Sequence, residues 1–366
     1  MKITSIKSHV LRYELEQELG YSQRYYKHRT AHLVEVETDE GITGWGECFG
    51  PGNIALANKF IIEKVIQPLI KGENPTNKEY IWHKVYNSLR DSGQKGMPIQ
   101  ALSGIDIALW DILSKKANLP LYQLLGGKCN NQIPVYGYGM MLQKKPVEQL
   151  IELFQKEAKE IKEKNFKAMK MKIGIGPKDD LKLVKAVREA VGDDYKLMVD
   201  ANHAYNLSDA LYVGKGLDEM NIYWFEDVLT PDDLVELSQI RTAIKPILLA
   251  GGEHEFTHHG FGLIANQGSY DLWQPDITWC GGITAGIQII DLASKYEIPV
   301  VPHRGGEICG LHLIVATNCE DLGEVLPGSR GQPQDVIWKD DREFEDGFLT
   351  LPTTPGFGIK LNEKLL

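Results

Sequence analysis

The sequence predicts a small α+β domain followed by a parallel β/α barrel. The chain has 366 residues, which is enough for one large barrel and a smaller companion. Up to about residue 125 strands and helices do not alternate regularly. From about residue 134 to residue 327, short apolar strands alternate with amphipathic helices. Eight such strands can be counted, and eight is the strand number of a β/α barrel.

The first 127 residues are predicted to form the α+β domain. Segments 2–10 and 32–37 have the composition of strands, and a turn at 39–41 leads into a third strand over 42–48. A helix is predicted over about 101–118, because apolar residues recur on one face. Residues 18–29 contain three tyrosines and two arginines. We interpret them as a long loop that is either ordinary surface or a lid over an active site.

The barrel is predicted over residues 128–335. Its eight predicted strands cover residues 135–138, 168–173, 196–199, 222–225, 247–250, 272–274, 300–301 and 323–326. The remaining segment, 336–366, is rich in glycine and proline and is predicted to return to the first domain.

Composition excludes several classes of protein. The five cysteines are scattered without a CxxC pair, which argues against a zinc knuckle or a disulfide framework. The formal charge of -10 argues against a nucleic-acid partner. Apolar runs are too short to cross a bilayer, and the first residues lack the apolar core of a signal peptide. We therefore expect a cytoplasmic protein that acts on a small molecule, without a membrane partner.

Polar side chains recur where the predicted barrel strands end. Because the carboxyl ends of parallel barrel strands converge on one face, these side chains should meet there, and that face holds the active site in barrel enzymes. From the second strand to the eighth they are Lys170 and Lys172, Asp200, Glu226, Glu253, Asp276, His303 and Glu324.

Three of these ends carry carboxylates in succession. A single acid after a strand is most often the cap of the next helix, but three in a row are harder to explain in that way. Asp200, Glu226 and Glu253 would repel one another unless a cation lay among them. Oxygen ligands without Cys or His favour magnesium or manganese over zinc.

The remaining strand ends suggest acid–base chemistry. Lys170 and Lys172 lie two apart on a strand, so both point to one face, and each should lower the pKa of the other. A solvated charge pair is the alternative. Asp276 and His303 end adjacent strands, where a carboxylate would fix the imidazole tautomer. A structural histidine is the alternative.

Together these residues resemble the mandelate racemase subgroup of the enolase superfamily, over essentially the whole chain. The resemblance implies a capping domain over a modified (β/α)7β barrel of the TIM type, with seven helices rather than eight. The matching segments are Gly-Trp-Gly-Glu at 44–47, Ser-Gly-Ile-Asp-Ile-Ala-Leu-Trp-Asp at 103–111, Lys-Met-Lys at 170–172, Asp-Ala-Asn at 200–202, Phe-Glu at 225–226, Gly-Gly-Glu at 251–253, Pro-Asp at 275–276 and Pro-His at 302–303.

The resemblance also implies roles for the strand-end residues. Asp200, Glu226 and Glu253 become the ligands of one Mg²⁺ per subunit. Lys172, with Lys170 beside it, becomes the base on one face of the carbon next to a substrate carboxylate. His303, paired with Asp276, acts on the other face. Glu324 would hydrogen-bond the substrate carboxylate, although the loose register of strand eight leaves Glu320 as a rival.

Six residues are predicted to bind substrate, a small-molecule carboxylate. Arg304 follows His303 directly and either binds a distal carboxylate or pairs with a nearby acid. The six are Asn202, His203, Arg304, Tyr21, Tyr25 and Arg29. Relatives of this kind are often dimers or octamers, so a symmetric homo-oligomer is expected.

Three functions are compatible with these residues. The polar, Tyr- and Arg-containing segment 21–29 suits a polyhydroxy acid and favours an acid-sugar dehydratase, which would form a 2-keto-3-deoxy acid. A racemase or epimerase of a 2-hydroxy or amino acid would use the same two bases. A non-catalytic barrel would require the complete set of residues to be idle.

Overall fold

A three-stranded antiparallel sheet opens the chain in the computed structural model. The structure describes residues 1–127, 132–305, 307–326, 338–340, 343–362 and 364. Strands β1 (Ile3–Tyr21), β2 (Arg24–Thr38) and β3 (Thr43–Glu47) lie in the order β1–β2–β3. Helices pack against this sheet and complete the predicted α+β domain. They are α1 (Asn53–Phe60), which continues through a π-helical stretch (Ile61–Ile66) into α2 (Gln67–Ile70), and α3 (Lys78–Ser88), α4 (Met97–Ala117) and α5 (Leu121–Leu124), with a 3₁₀ turn at Arg90–Ser92.

The prediction of a long loop over residues 18–29 was wrong. This segment is the tip of the β1–β2 hairpin, with only Ser22 and Gln23 between the strands. Tyrosines favour strands, and pairing continues to Tyr21 opposite Arg24 after an irregularity in the register. The tip rests on the barrel, because Ser22 Oγ donates to the carbonyl oxygens of Ala201 and Asn202 at 2.8 and 2.7 Å.

Strand β3 lies directly on helix α4, and this contact accounts for two of the matching segments. A Cβ atom at Gly46 would come within 2.1 Å of the Gly104 carbonyl oxygen, so only glycine fits there. Asp111 of α4 accepts a hydrogen bond from Trp45 N at 2.9 Å and another from Phe357 N at 3.2 Å. Segments 44–47 and 103–111 therefore join the sheet, the helix and the C-terminal part of the chain.

The second unit is the parallel barrel. Strand β10 (Gly323–Val325) pairs in parallel with β4 (Gln132–Gly139) and closes the ring. At the seventh strand position of the ring there is only a bridge between Trp273 and Val300, and Glu320 N donates to Val300 O at 3.0 Å on the other side. The six preceding strands, each parallel to the next, are β4 (Gln132–Gly139), β5 (Ala168–Lys172), β6 (Lys196–Asp200), β7 (Ile222–Glu226), β8 (Leu248–Gly251) and β9 (Leu272–Trp273).

Seven helices alternate with these strands among the residues that the structure describes, so the modified seven-helix barrel is confirmed. Their sequences are amphipathic: α6, for example, buries Leu150, Phe154, Ala158 and Ile161 at helical spacing. The seven are α6 (Val147–Glu163), α7 (Pro177–Val191), α8 (Leu207–Asp218), α9 (Leu234–Ala243), α10 (Thr257–Gln267), α11 (Gly282–Lys295) and α12 (Ile308–Ala316).

The C-terminal part contacts both units. Strand β13 (Phe348–Thr350) pairs with barrel strand β4, and Gly356 forms a bridge with Pro120 beside α5. Its strands are β11 (Trp338–Asp340), β12 (Glu343–Glu345), β13 (Phe348–Thr350) and β14 (Ile359–Leu361). The three-part division at residues 127 and 335 stays a prediction, because 128–131 and 327–337 lie outside the described residues. Within the described ranges, none of the helices combines the length and apolar character that a bilayer crossing requires.

One buried histidine of the capping sheet predicts a pH dependence of stability. His32 on β2 is 1% exposed, and neither ring nitrogen has a hydrogen-bond partner among the described residues. Burial lowers its pKa from 6.5 to about 4. As pH falls from about 6.5 to 4, the unfolded chain gains a proton that the native protein does not, so the free energy of unfolding falls.

The comparison with His32→Phe, which does not titrate, isolates this contribution. Between pH 7 and pH 5 the unmodified protein should lose about 2 kcal/mol more unfolding free energy than the variant. Urea unfolding at the two pH values measures both losses. Equal losses in the two proteins would mean that His32 takes up its proton in the native state.

Candidate active site

A cavity of about 290 Å³ lies at the carboxyl ends of the barrel strands, beneath the β1–β2 hairpin. Segment 18–29 therefore covers the barrel mouth, as the lid interpretation expected, although as a hairpin rather than a loop. Both units supply charged, polar and aromatic side chains to the wall. They include Tyr21, Arg24, Tyr26, His28, Arg29 and Glu47 from the capping domain, and Tyr138, Lys170, Lys172, Asn202, Glu253, His254, Trp279, His303, Arg304, Glu307 and Glu324 from the barrel.

Three buried carboxylates meet beside this cavity. Cross-strand pairing places Asp200 beside Glu226, and Glu253 follows β8 closely. One carboxylate oxygen from each lies within 4.8 Å of the other two, and the residues are 0%, 1% and 7% exposed. Burial raises the pKa of Glu226 well above its usual value. Buried carboxylates this close require positive charge, and the all-oxygen donor set fits Mg²⁺.

Asn202 joins two of these carboxylates. Its backbone N donates to Asp200 Oδ1 at 2.9 Å, and its Nδ2 donates to Glu253 Oε1 at 3.3 Å. The side chain also lines the cavity. Asn202 therefore orients the carboxylates and presents an amide to a bound molecule.

The two strand β5 lysines are ion-paired with the acids. Lys170 Nζ lies 2.9 Å from Glu324 Oε1 and 2.5 Å from Glu226 Oε1, and Lys172 Nζ contacts Asp200 Oδ2. Lys170 lowers the pKa of Lys172, as expected, but this effect does not decide the net shift. Burial lowers both pKa values, but the surrounding carboxylates outweigh it and raise them above the usual range. A cation among the carboxylates would offset their negative charge and so reduce this rise in the lysine pKa values.

His303 and Asp276 form a hydrogen-bonded pair. His303 Nδ1 lies 2.7 Å from Asp276 Oδ2, and His303 Nε2 lies 3.1 Å from Glu253 Oε2. Asp276 is itself held by two hydrogen bonds from Thr278. Burial lowers the pKa of His303, but Glu253 and Asp276 outweigh it and raise the pKa to about 10. The pair thus presents one ring nitrogen to the cavity in a fixed orientation.

The register of strand eight places Glu324 in the site. Glu324 is buried, lines the cavity and pairs with Lys170, and its second oxygen accepts a hydrogen bond from Arg304 N at 2.7 Å. Glu320 is exposed. Of these two rivals, the geometry favours Glu324.

Arg304 pairs with nearby acids, as one of its two interpretations expected. Its Nη2 donates to Glu47 Oε1 at 2.8 Å and contacts Glu307, and its Nη1 donates to Thr278 Oγ1 at 3.1 Å. Glu47 ends β3, so Arg304 connects the barrel mouth to the capping sheet.

The other predicted binding residues divide into two groups. Tyr21 and Arg29 line the cavity, and Arg29 Nη2 lies 3.4 Å from the hydroxyl of Tyr26. Tyr25 is not in the cavity wall, because its ring packs on Gly20 and under the Lys144 ammonium. His203 is also outside the cavity wall and hydrogen-bonds behind it, to Leu229 O.

Sequence reasoning missed several cavity residues. Arg24, Tyr26, His28 and Thr30 occupy alternate positions of β2 and line the cavity together. The period-two signal that would have identified them is present, but it is interpretable only if the segment is a strand. Glu47 and Glu307 were missed because each is a single acid with no spacing pattern.

Comparison with models of known protein families shows which family this chain belongs to. Residues 153–365 match the family of enolase C-terminal domain-like sequences, and residues 21–126 match the mandelate racemase / muconate lactonizing enzyme N-terminal domain. The chain belongs to the mandelate racemase branch of the enolase superfamily. The resemblance inferred from its strand-end residues is confirmed.

Similar superfamily members match along nearly their full length. The D-galactarolactone cycloisomerase of Agrobacterium fabrum is 34% identical, over 100% of this chain and 98% of that protein. The arabinonate dehydratase of Saccharolobus solfataricus is 34% identical, over 90% and 88%. A racemase from Streptomyces coelicolor with bound magnesium superposes with a TM-score of 0.90, at 27% identity over 99% and 98%. This chain, like these relatives, is an enzyme.

Proposed function

We propose that this enzyme eliminates water from an acid sugar, an aldonate or aldarate, and forms a 2-keto-3-deoxy acid. The observation that carries the proposal is the placement of two proton-transfer groups at opposite ends of the carboxylate row. Lys172 contacts Asp200 at one end, and His303 lies 3.1 Å from Glu253 at the other. Both line the same cavity, so a substrate there has one group on each side.

The metal in this proposal is one Mg²⁺ per subunit, held by Asp200, Glu226 and Glu253. It would supply a positive charge that stabilises the substrate carboxylate as negative charge develops on it. Support comes from the buried all-oxygen donor set and from the magnesium bound to the Streptomyces racemase.

The protein side chains divide the proton transfers. Lys172 takes the proton from the carbon next to the carboxylate, and the electron pair left behind makes the carboxylate an enediolate. Glu324, held by Lys170 and by Arg304 N, lies where it can hydrogen-bond that group. His303, oriented by Asp276, gives a proton to the hydroxyl on the next carbon, which leaves as water. The resulting enol rearranges to the 2-keto acid.

The names of similar proteins support elimination and add a second candidate. One relative is an arabinonate dehydratase, and another is a D-galactarolactone cycloisomerase that matches over the whole chain. If the leaving oxygen belongs to a ring, the same two proton transfers open the ring, and the product keeps the mass of the substrate. A racemase, by contrast, would return a proton from His303 to the α-carbon.

A substrate screen tests these functions. The enzyme is incubated with magnesium, aldonic and aldaric acids and their lactones, in ordinary and in deuterated water. A 2-keto acid lighter by one water supports dehydration, and a 2-keto acid of unchanged mass from a lactone supports the cycloisomerase. Deuterium in an otherwise unchanged substrate indicates racemisation. If no compound reacts and Lys172→Ala changes nothing measurable, the proposed function is wrong.

Cytoplasmic location and assembly into a homo-oligomer, a dimer or octamer, stay predictions. Light scattering on the purified protein measures the assembly. A monomer over the working concentration range would contradict the prediction of a homo-oligomer.

A further inference from the structure

A second cluster of ligand-type side chains lies beside the three carboxylates. His203 Nε2 is 2.9 Å from His254 Nδ1, and both nitrogens are 3.4 Å from Asp227 Oδ2. None of the three was assigned a role in the proposed chemistry. They come from the same strand ends as the carboxylates, a few residues after Asp200 and one residue after Glu226 and Glu253.

The tautomer of His203 is fixed from behind. Its Nδ1 lies 2.7 Å from the carbonyl oxygen of Leu229, which can only accept a hydrogen bond. In the neutral ring the proton is therefore on Nδ1, and Nε2 points an unprotonated lone pair at the centre of the cluster. Metal-binding histidines are commonly held in this way by a carbonyl oxygen on the far nitrogen.

Asp227 supplies an independent observation. The residue is 1% exposed, and its Oδ2 accepts no hydrogen bond within the described part of the chain, although two imidazole nitrogens lie 3.4 Å away. A buried carboxylate oxygen that accepts no hydrogen bond is costly. A cation between Oδ2 and the two nitrogens would satisfy it.

The spacing of the three atoms suits a transition metal. A triangle with sides of 2.9, 3.4 and 3.4 Å has its centre about 1.9 Å from each corner. At usual Zn–N and Zn–O distances of about 2.0–2.2 Å, an ion would lie slightly above that plane. This leaves a further coordination position open on one side.

The cluster is also reachable. The side chains of His203 and His254 are 15% and 27% exposed, and His254 lines the cavity. An ion can therefore enter without unfolding of the barrel mouth.

We propose that His203, Asp227 and His254 bind a second divalent ion, Zn²⁺ or a similar transition metal, beside the carboxylate site. Two imidazoles and one carboxylate form a softer donor set than three carboxylates and select zinc over magnesium. The ion joins the segments that follow β6, β7 and β8, which also carry Asp200, Glu226 and Glu253. This proposal does not depend on the proposed reaction.

Titration in excess magnesium separates the two sites. The full-length protein is freed of metal with a chelator, saturated with Mg²⁺ and titrated calorimetrically with Zn²⁺. We expect one Zn²⁺ per chain that magnesium does not displace. His203→Gln and Asp227→Asn should each weaken this binding by about 100-fold or more, since even loss of outer-shell partners costs 10- to 100-fold. The exposed His83 provides the control, and His83→Gln should bind zinc like the unmodified protein.

A spectroscopic measurement on the unmodified protein tests the proposal even if the variants fail to fold. With magnesium in excess, X-ray absorption of the zinc-loaded protein should show two imidazole ligands, and Co²⁺ should give the visible bands of a low-coordinate site. A zinc spectrum without imidazole would overturn the proposal. So would the absence of zinc binding in excess magnesium, or full zinc affinity in folded variants. In each case the three side chains would be a hydrogen-bonded cluster only.

Discussion

Lys172→Met should lower kcat/KM for the acid-sugar substrate by about 10²- to 10⁴-fold, the usual contribution of a positioned base. Lys172 lines the cavity and contacts Asp200, so its ammonium is next to the proposed metal ligands. Methionine retains the length of the side chain and removes the amine. Steady-state kinetics with the substrate identified by the screen measures the loss. Lys164→Met is the control, because Lys164 is exposed just before the same strand.

Hydrogen exchange assigns the two proton-transfer groups to separate steps. In deuterated water, Lys172→Met should abolish both exchange of the α-proton and elimination. His303→Asn should stop elimination, yet solvent deuterium should still enter the α-position through Lys172. If Lys172→Met retains exchange while His303→Asn loses it, the two roles are reversed. A Lys172→Met enzyme with full activity would remove Lys172 from the chemistry.

Glu253→Gln should weaken Mg²⁺ binding by about 10-fold to 100-fold or more, because outer-shell changes alone reach that range. The substitution removes one of three negative charges from the donor set. Isothermal titration with Mg²⁺ measures the change. Glu255→Gln is a matched control two residues away, because Glu255 is also buried but is paired with Lys95.

The control variant Glu255→Gln distinguishes loss of a metal ligand from a general effect on this segment. Glu255→Gln should keep the magnesium affinity of the unmodified protein even if it lowers the melting temperature through loss of the Lys95 contact. Equal weakening in both variants would indicate a general effect on the segment after β8. Unaltered affinity in Glu253→Gln would remove Glu253 from the ligand set.

The strand-end residues could be predicted because a parallel barrel brings consecutive strand ends to one face. Spacing along the chain was enough to predict that Lys172, Asp200 and Glu226 lie close together. In the structure, cross-strand pairing places them side by side. The choice between Glu324 and Glu320 was beyond the sequence. Strand β10 is only three residues long, and its register is set by pairing with β4, where Glu324 faces Tyr136.

Features that depend on distant pairing could not be predicted. Tyr25 and Tyr26 are adjacent tyrosines, so the sequence does not distinguish them. Only the pairing of the hairpin strands shows that Tyr26 lines the cavity. The cluster of His203, Asp227 and His254 has no local pattern, since each residue is a lone polar side chain just beyond a recognisable segment. Their convergence follows from the turns after three separate strands.

At the turn of the hairpin, Ser22 and Gln23 are attached to the barrel through backbone acceptors. Ser22 and Gln23 donate to the carbonyl oxygens of residues 201–203, and no barrel side chain takes part in these bonds. Substitutions at Arg24, Tyr26 and His28 can therefore reshape the roof of the cavity without disturbing its anchor or the carboxylates below. A combinatorial library at these positions is a natural route to retarget the enzyme to other acid sugars with its proton-transfer residues unchanged.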